Sequence, residues 1–376
     1  MRMVLTPQEQ SLLGEARKWA MEHWNPHSDA WETARQFPRE AYAQAAADGY
    51  LGLVSSKQYG GRDLDALSCA LVYEGLAYGD PSLTTYLHIF NSLVAQLEKW
   101  YHPVPEVLAL IPDFVAGRKF MAFALSELDA GSDPAAGKAW CTEDGDDYVV
   151  TGDKAWVSNS HHDDYFMLIV HGPGDGMTMM LADRSTPGLT VDQDPERIAG
   201  CAISCGQLHL RGCRIPKRNT LCENGLSAAL RAIDTARLNA SVTAVGLAQR
   251  AVDLSAAYLA GRETFGKPVL SNQAIRFRLA EMQTEIEAAR WLAYHTASQM
   301  DAEGTGGELA AMCKLKATST AADILRDCIR FFGAAGLDTH SEISRLMRFS
   351  HVLEITDGTN EIQKLIIGKG IARRCR

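Results

Sequence analysis

Hydrophobic positions in residues 1–120 recur at helical spacing, and the first signal is a start signal. Thr6 stands three residues before Glu9, just ahead of Leu12 and Leu13, which is the pattern of a capping box. Ala41 to Leu53 is alanine-rich with apolar residues three and four apart, and Tyr59-Gly60-Gly61 then breaks the chain. Ala66 to Tyr78 resumes as a strongly apolar helix that ends at Gly79. From about Met121 the period changes to two. Asp147–Gly152, Tyr165–Val170, Met177–Ala182 and Gln207–Leu210 are short β-rich runs between Gly, Asp and Pro clusters, and predict an antiparallel sheet or barrel. Asp144-Gly145-Asp146-Asp147 reads as a hairpin turn and not a calcium loop. Beyond Gly225 long helical patterns return over Leu226–Gly261, Gln273–Ala302 and Glu308–Phe332, long enough to pack as a bundle. The expected fold is α+β and mostly α, with an N-terminal helical domain (1–120), a middle β domain (121–225) and a C-terminal helical bundle (226–376).

Composition changes this picture mainly by exclusion. A chain of 376 residues with 46% hydrophobic content is globular and long enough for two or three packed units. Its 37 Lys and Arg against 46 Asp and Glu leave a net charge of −9, which repels a phosphate backbone and argues against nucleic acid as a partner. No apolar run approaches the ~18 residues of a membrane span, and Met1 to Trp19 lacks the apolar stretch of a signal peptide, so the expected location is cytoplasmic. Nine cysteines, odd in number and scattered, predict no disulfide framework, and none has zinc spacing. His161, His162, Asp163 and Asp164 are adjacent in sequence, read as a polar loop, and no metal site is assigned. No GxGxxG follows a first strand, which removes the usual nicotinamide-dinucleotide site.

Three separated segments carry the chemistry: Phe123–Ser132 (FALSELDAGS) with Trp156-Val157-Ser158, Arg262–Lys267 (RETFGK) with Gln273, and Asp357–Gln363 (DGTNEIQ). In this order, inside a helix–barrel–helix chain, they resemble the acyl-CoA dehydrogenases over nearly the whole length. The resemblance implies FAD as cofactor and α,β-desaturation of an acyl thioester of coenzyme A or a carrier protein. A carboxylate removes the α proton while the β hydride passes to the flavin. Phe123, Leu125, Ser126, Val157 and Ser158 match the segments that meet the isoalloxazine, whose reduced form needs hydrogen-bond donors at its polar edge. Trp156 matches its aromatic wall. Gly131 and Ser132 match a close backbone approach to flavin phosphate or substrate. Arg262, Thr264, Phe265 and Gln273 match the clamp on the FAD pyrophosphate and adenosine, which in the family reaches over from a neighbouring subunit, so an assembly of two or four copies is implied. A guanidinium suits that group because its fork donates two parallel charge-assisted bonds. The family's Gln and paired Gly ahead of the last helices appear here as Arg330, Gly333 and Ala334, which adds a cation and a methyl group.

The departure with most chemical weight is Asp357. Most of these dehydrogenases carry a Glu there, so the side chain is one methylene short. The alternative base position of some relatives is Ala236, which cannot act. Asp357 is therefore the expected base, with Thr356, Gly358, Asp234 and Arg237 toward the substrate and Thr359 and Glu361 toward the cofactor. Glu354 and Glu361 read as solvated or paired helix-face carboxylates. Lys369 stands where relatives often place an Arg for coenzyme A, which keeps a carrier-protein thioester open. Electron-transfer flavoprotein or oxygen is the expected acceptor. An Asp base also resembles the nitroalkane oxidases, and a catalytically silent flavin-binding subunit is the third alternative.

Overall fold

In the computed structural model, which describes residues 4–101 and 103–375, helices flank a central sheet. α1 (Pro7–His23) starts at the predicted capping box: Thr6 Oγ1 accepts from the Glu9 amide, and Glu9 accepts from the Thr6 amide at 2.6 Å. After α2 (Ser28–Ala34), α3 (Arg39–Ala47) stops earlier than the alanine-rich run suggested, because Gly49 and Gly52 turn the backbone left-handed. α4 (Ala66–Gly79) and α5 (Pro81–Lys99) begin at Asp65 and Asp80, whose carboxylates accept from amides of the first helical turn. The short α6 (Pro105–Leu108) and α7 (Ile111–Val115) close this part.

The sheet contains β1 (Met121–Ala124), β2 (Trp140–Asp144), β3 (Asp147–Ser158), β4 (Tyr165–His171), β5 (Met177–Asp183), β6 (Leu189–Val191), β7 (Cys205–Pro216) and β8 (Thr220–Cys222). The order is β6-β7-β3-β2-β4-β5-β8, with β1 added alongside β4. The Asp144–Asp147 turn joins β2 to β3 as predicted, with Gly145 left-handed. Two features differ from the sequence expectation. β1 runs parallel to β4, so the sheet is mixed. β3 and β7 are each 12 residues, longer than their apolar runs, because they pair along their length through two register shifts, at Val150/Thr151 and Lys154/Val157.

α8 (Gly225–Gly261) leads through the exposed hairpin of β9 (Glu263–Thr264) and β10 (Lys267–Pro268) to α9 (Gln273–Glu303), α10 (Gly307–Phe331), α11 (Glu342–Ile355) and α12 (Asn360–Arg374). α10 packs against α8, α9, α11 and α12, so it is the central rod of the bundle. α4 crosses α8 at Gly246, where an added Cβ would sit 2.4 Å from the Glu74 carbonyl oxygen. At the same crossing the buried Glu74 carboxylate takes Arg290 Nε at 2.8 Å and the Tyr294 hydroxyl at 2.7 Å, which ties α4 to α9. Arg250 of α8 pairs with Glu342 of α11 at 2.7 Å. All nine cysteines are free, and no described helix is long and apolar enough to cross a membrane. Because the α4–α8 contact is backbone on Cα, Gly246→Ala is expected to cost about 1–3 kcal/mol through overpacking, read as a lower thermal midpoint.

Candidate active site

The Asp357 segment is a tight turn between two helices. α11 ends at Ile355, Thr356 is extended, and Asp357 and Gly358 are both left-handed at φ 57 and 87° before Thr359 caps α12. Thr359 Oγ1 accepts from the Ile362 amide at 3.4 Å. Asp is among the residues that tolerate this backbone region. Gln363, fully buried, fixes the turn from inside: its Nε2 donates to the Gly358 carbonyl at 2.8 Å and to the carbonyls of Asp357 and Thr359 at 3.4 Å. A Cβ on Gly358 would lie 2.9 Å from that Nε2.

Burial raises the Asp357 carboxyl from the ordinary carboxylate range to about 6, against the opposing pull of Lys314 first and Arg237 second. Lys314 of α10 is 0% exposed and donates to the Glu354 carbonyl and to Asn360 Oδ1, both at 2.9 Å. Arg237 of α8 pairs with Asp234 at 2.6 Å, and Asp234 also accepts from the Gly307 amide at 3.3 Å. Around this turn Asp357 Oδ2, Thr356 Oγ1, Gln363 Oε1 and Arg237 Nε are buried without a protein partner. Buried polar groups are nearly always satisfied, so these four atoms are open to a bound molecule or to water. A cavity of ≈ 290 Å³ opens beside Asp234, Thr235, Arg231 and Trp100. A larger cavity, ≈ 950 Å³, lies elsewhere, between α9 and α10, and none of the sequence-predicted residues lines it.

A second group sits on the sheet. The Ser126 carbonyl accepts from the Ala155 amide at 2.9 Å, and the buried Lys154 donates to the Leu125 carbonyl at 3.0 Å and to Glu127 at 2.8 Å. Two residues on, at the β3 register shift, Trp156 is left-handed (φ 58°) and 55% exposed. It is an outward-facing aromatic rather than a core strand residue. Phe123, Ser126 and Ser158 are half-buried, Leu125 and Val157 buried, and Gly131 and Ser132 exposed on the loop after β1. Residues 161–164 form a turn after β3, as the polar-loop reading expects, but Asp163 points inward. It is fully buried, accepting from the Tyr86 hydroxyl at 2.5 Å and Asn159 Nδ2 at 2.7 Å, and burial raises its carboxyl well above the ordinary range. Asn159, itself left-handed, supplies the donor that makes burial possible. No group of metal-ligating side chains forms among the described residues.

A third group lies at the far end of α8. The Arg262 guanidinium is 5.9 Å over the Tyr258 ring, and Tyr258 stacks at 4.3 Å on Phe332, next to Gly333. Arg262 and Gly333 are thus brought to one place, with Arg330 nearby in sequence and paired to Asp327 at 3.4 Å. Thr264 and Phe265 lie on the exposed hairpin, Phe265 left-handed and fully exposed, and Gln273 opens α9 on the surface. Lys369 is exposed on α12 and Glu361 pairs with Lys364 at 3.4 Å. Glu354 accepts from Asn360 Nδ2 at 3.3 Å, so both neighbouring carboxylates are paired as expected.

The sequence analysis missed Lys314 and Lys154, and it gave no role to Asn360 and Gln363 within the Asp357–Gln363 segment. Lys314 had a readable signal: with Ala310, Ala317 and Ala321 it falls on one helical face of a small-residue run, and that face is buried.

Residues 6–100, 122–213 and 223–372 match the family descriptions "Acyl-CoA dehydrogenase" N-terminal, middle and C-terminal domain, respectively. The chain is 30% identical to the mitochondrial short-chain specific acyl-CoA dehydrogenase of Homo sapiens, over 98% of this chain and 90% of that one. It is 28% identical to the 3-(aryl)acrylate reductase of Clostridium sporogenes, over 99% and 100%. Among solved structures, butyryl-CoA dehydrogenase from Megasphaera elsdenii superposes with a TM-score of 0.94 at 26% identity, covering 99% of this chain and 100% of that one.

The raised Asp357 carboxyl has a consequence for stability. A carboxyl whose folded value lies above its unfolded one contributes stability at low pH that is lost as pH rises through the folded value. Asp357→Asn removes that loss. The variant is therefore expected to be more stable than wild type at pH 8, by about 1–3 kcal/mol, with the gap opening between pH 4 and 6 in thermal melts.

Proposed function

Because the chain belongs to the acyl-CoA dehydrogenase family, FAD-dependent oxidoreductases acting on CH–CH groups, we propose that it desaturates an acyl thioester with Asp357 as the base. The observation that carries this reading is the half-buried Asp357, whose Oδ2 is buried and unpartnered, held on a turn that Gln363 fixes. FAD, when bound, accepts the β hydride. Everything else falls to side chains of this protein.

The residues present fit that cofactor. Trp156 and half-buried Ser126 and Ser158 offer an aromatic face and hydroxyl donors near the C-terminal end of β3. Arg262 and Arg330 offer cations at the end of α8, suited to a pyrophosphate, and the exposed hairpin with Phe265 fits a clamp offered to a neighbouring copy. Asp357 takes the proton from the carbon next to the thioester carbonyl. A proton bound to carbon is weakly acidic, and a carboxyl near 6 is a stronger base than an ordinary one while remaining ionised at neutral pH. Arg237, oriented by Asp234, and the Thr356 hydroxyl have unused polar atoms available to the thioester side of the ligand. Lys369 at the coenzyme position is compatible with either a coenzyme A or a carrier-protein phosphopantetheine.

The shorter carboxylate favours one further reading, a flavin oxidase with oxygen as acceptor. Anaerobic reduction by a panel of acyl-CoA and acyl-carrier thioesters, followed by reoxidation with electron-transfer flavoprotein or oxygen, separates the two and identifies the silent-subunit case by absence of reduction. Asp357→Asn is expected to keep the flavin spectrum and abolish reduction, and the wild-type rate is expected to climb as pH rises through about 6; reduction by the Asn variant at the wild-type rate would exclude Asp357 as the base. Asp357→Glu separates a displaced conventional base, which gains rate on a simple acyl-CoA, from a pocket built for Asp, which loses roughly a hundredfold. Arg262→Ala is expected to lose FAD while retaining its helical circular-dichroism signal, and an unchanged FAD content would remove Arg262 from the cofactor site.

A further inference from the structure

We propose that Lys314 is a positioning residue for the base: its ammonium clamps the turn that carries Asp357 and sets the electrostatic field in which that carboxylate works. The inference rests on the reading of Asp357 as the base. Its first support is geometry. Lys314 reaches from α10, the central rod of the bundle, and donates to the Glu354 carbonyl, one of the last carbonyls of α11, and to Asn360 Oδ1 in the first turn of α12, each at 2.9 Å. The two contacts bracket residues 355–359, the whole of the left-handed turn. Asn360 is held in turn by Thr318 Oγ1 at 2.9 Å and donates to Ser319 Oγ at 3.2 Å, so the clamp is anchored back on α10.

Its second support is charge. A buried ammonium is costly unless a carboxylate or a full set of acceptors compensates it. Lys314 is 0% exposed and touches two neutral oxygens; no carboxylate lies within 4 Å of its Nζ among the described residues. Its positive charge therefore acts at longer range, on the carboxylates that face it: Asp357 on the turn, Glu354 at the end of α11 and Glu361 on α12, with Arg237 of α8 as the opposing cation. Burial lowers the ammonium to about 8, so it is charged across the range in which Asp357 ionises. The cations facing Asp357 are Lys314 from α10 and Arg237 from α8, and Arg237 is already committed to Asp234 at 2.6 Å. Lys314 touches no carboxylate, so its charge is available to favour the ionised base.

The test uses the FAD-loaded enzyme. Protonation of the Asp357 carboxyl is followed by infrared difference spectroscopy as a function of pH, with Asp357→Asn as the blank, and in parallel the pH profile of anaerobic flavin reduction is recorded with butyryl-CoA. Lys314→Met, similar in length and apolar, is expected to keep bound flavin and to move both midpoints upward by about one pH unit, while Lys314→Arg leaves both near wild type. If Lys314→Met does not retain FAD, Lys314→Gln carries the same expectation. A neutral variant whose Asp357 titrates as in wild type would overturn the proposal. The infrared arm needs no turnover, so a failure of Asp357 as base, seen as an Asn variant that still reduces its flavin, is distinguishable from a failure of Lys314 to tune it.

Discussion

In the proposed reaction the carboxylate must leave water without losing its charge, and the reading of the site depends on how the fold meets that demand. Burial alone drives Asp357 toward its neutral form. Two cations on separate helices oppose it, and neither touches it as an ion pair within 4 Å among the described residues. The balance leaves the group near 6, more basic than a solvated carboxylate yet ionised at neutrality. A direct salt bridge would have given an ionised but feeble base, and an apolar pocket a strong but protonated one. The bundle around α10 is what makes the intermediate solution available, because it brings α8, α11 and α12 to one buried ammonium.

The same device recurs on the sheet. Lys154, as buried as Lys314, ties the Leu125 carbonyl to β3 two residues before Trp156 and is compensated by Glu127 at 2.8 Å. There the carboxylate is in contact, so the lysine acts as a brace and exerts little outward field. Two buried lysines thus anchor the two chain segments proposed for base and flavin, and they differ in whether a carboxylate touches them.

Much of this was legible in the sequence. Periodicity placed the long helices of the bundle to within a few residues, and the capping box at Thr6 and the turn at Asp144–Asp147 stand as read. The family resemblance, not periodicity, pointed to Asp357, Arg237 and Trp156. What escaped were groups whose meaning is tertiary. A lysine in an alanine-rich helix reads as a solubilising charge until its face is known to be inside. Asp163, next to two histidines and another aspartate, reads as part of a polar loop, and nothing nearby in sequence shows that Tyr86 and Asn159 will meet it in the interior. The full length of β3 escaped for a related reason: its second half breaks alternation, and pairing with β7 is what makes it a strand.

That irregular strand also limits how the protein can change. Side chains on a strand alternate between faces, so adding or removing one residue between Val150 and Ser158 would exchange inside for outside along everything that follows. Trp156 would turn into the sheet core and Val157 out of it, while Lys154 would lose its buried partner. Substitutions along this strand can be absorbed one at a time, whereas a single-residue insertion or deletion displaces all of these side chains at once. Diversification here is therefore confined to changes of side chain at constant length, and the loops beyond the strand ends are where length can vary.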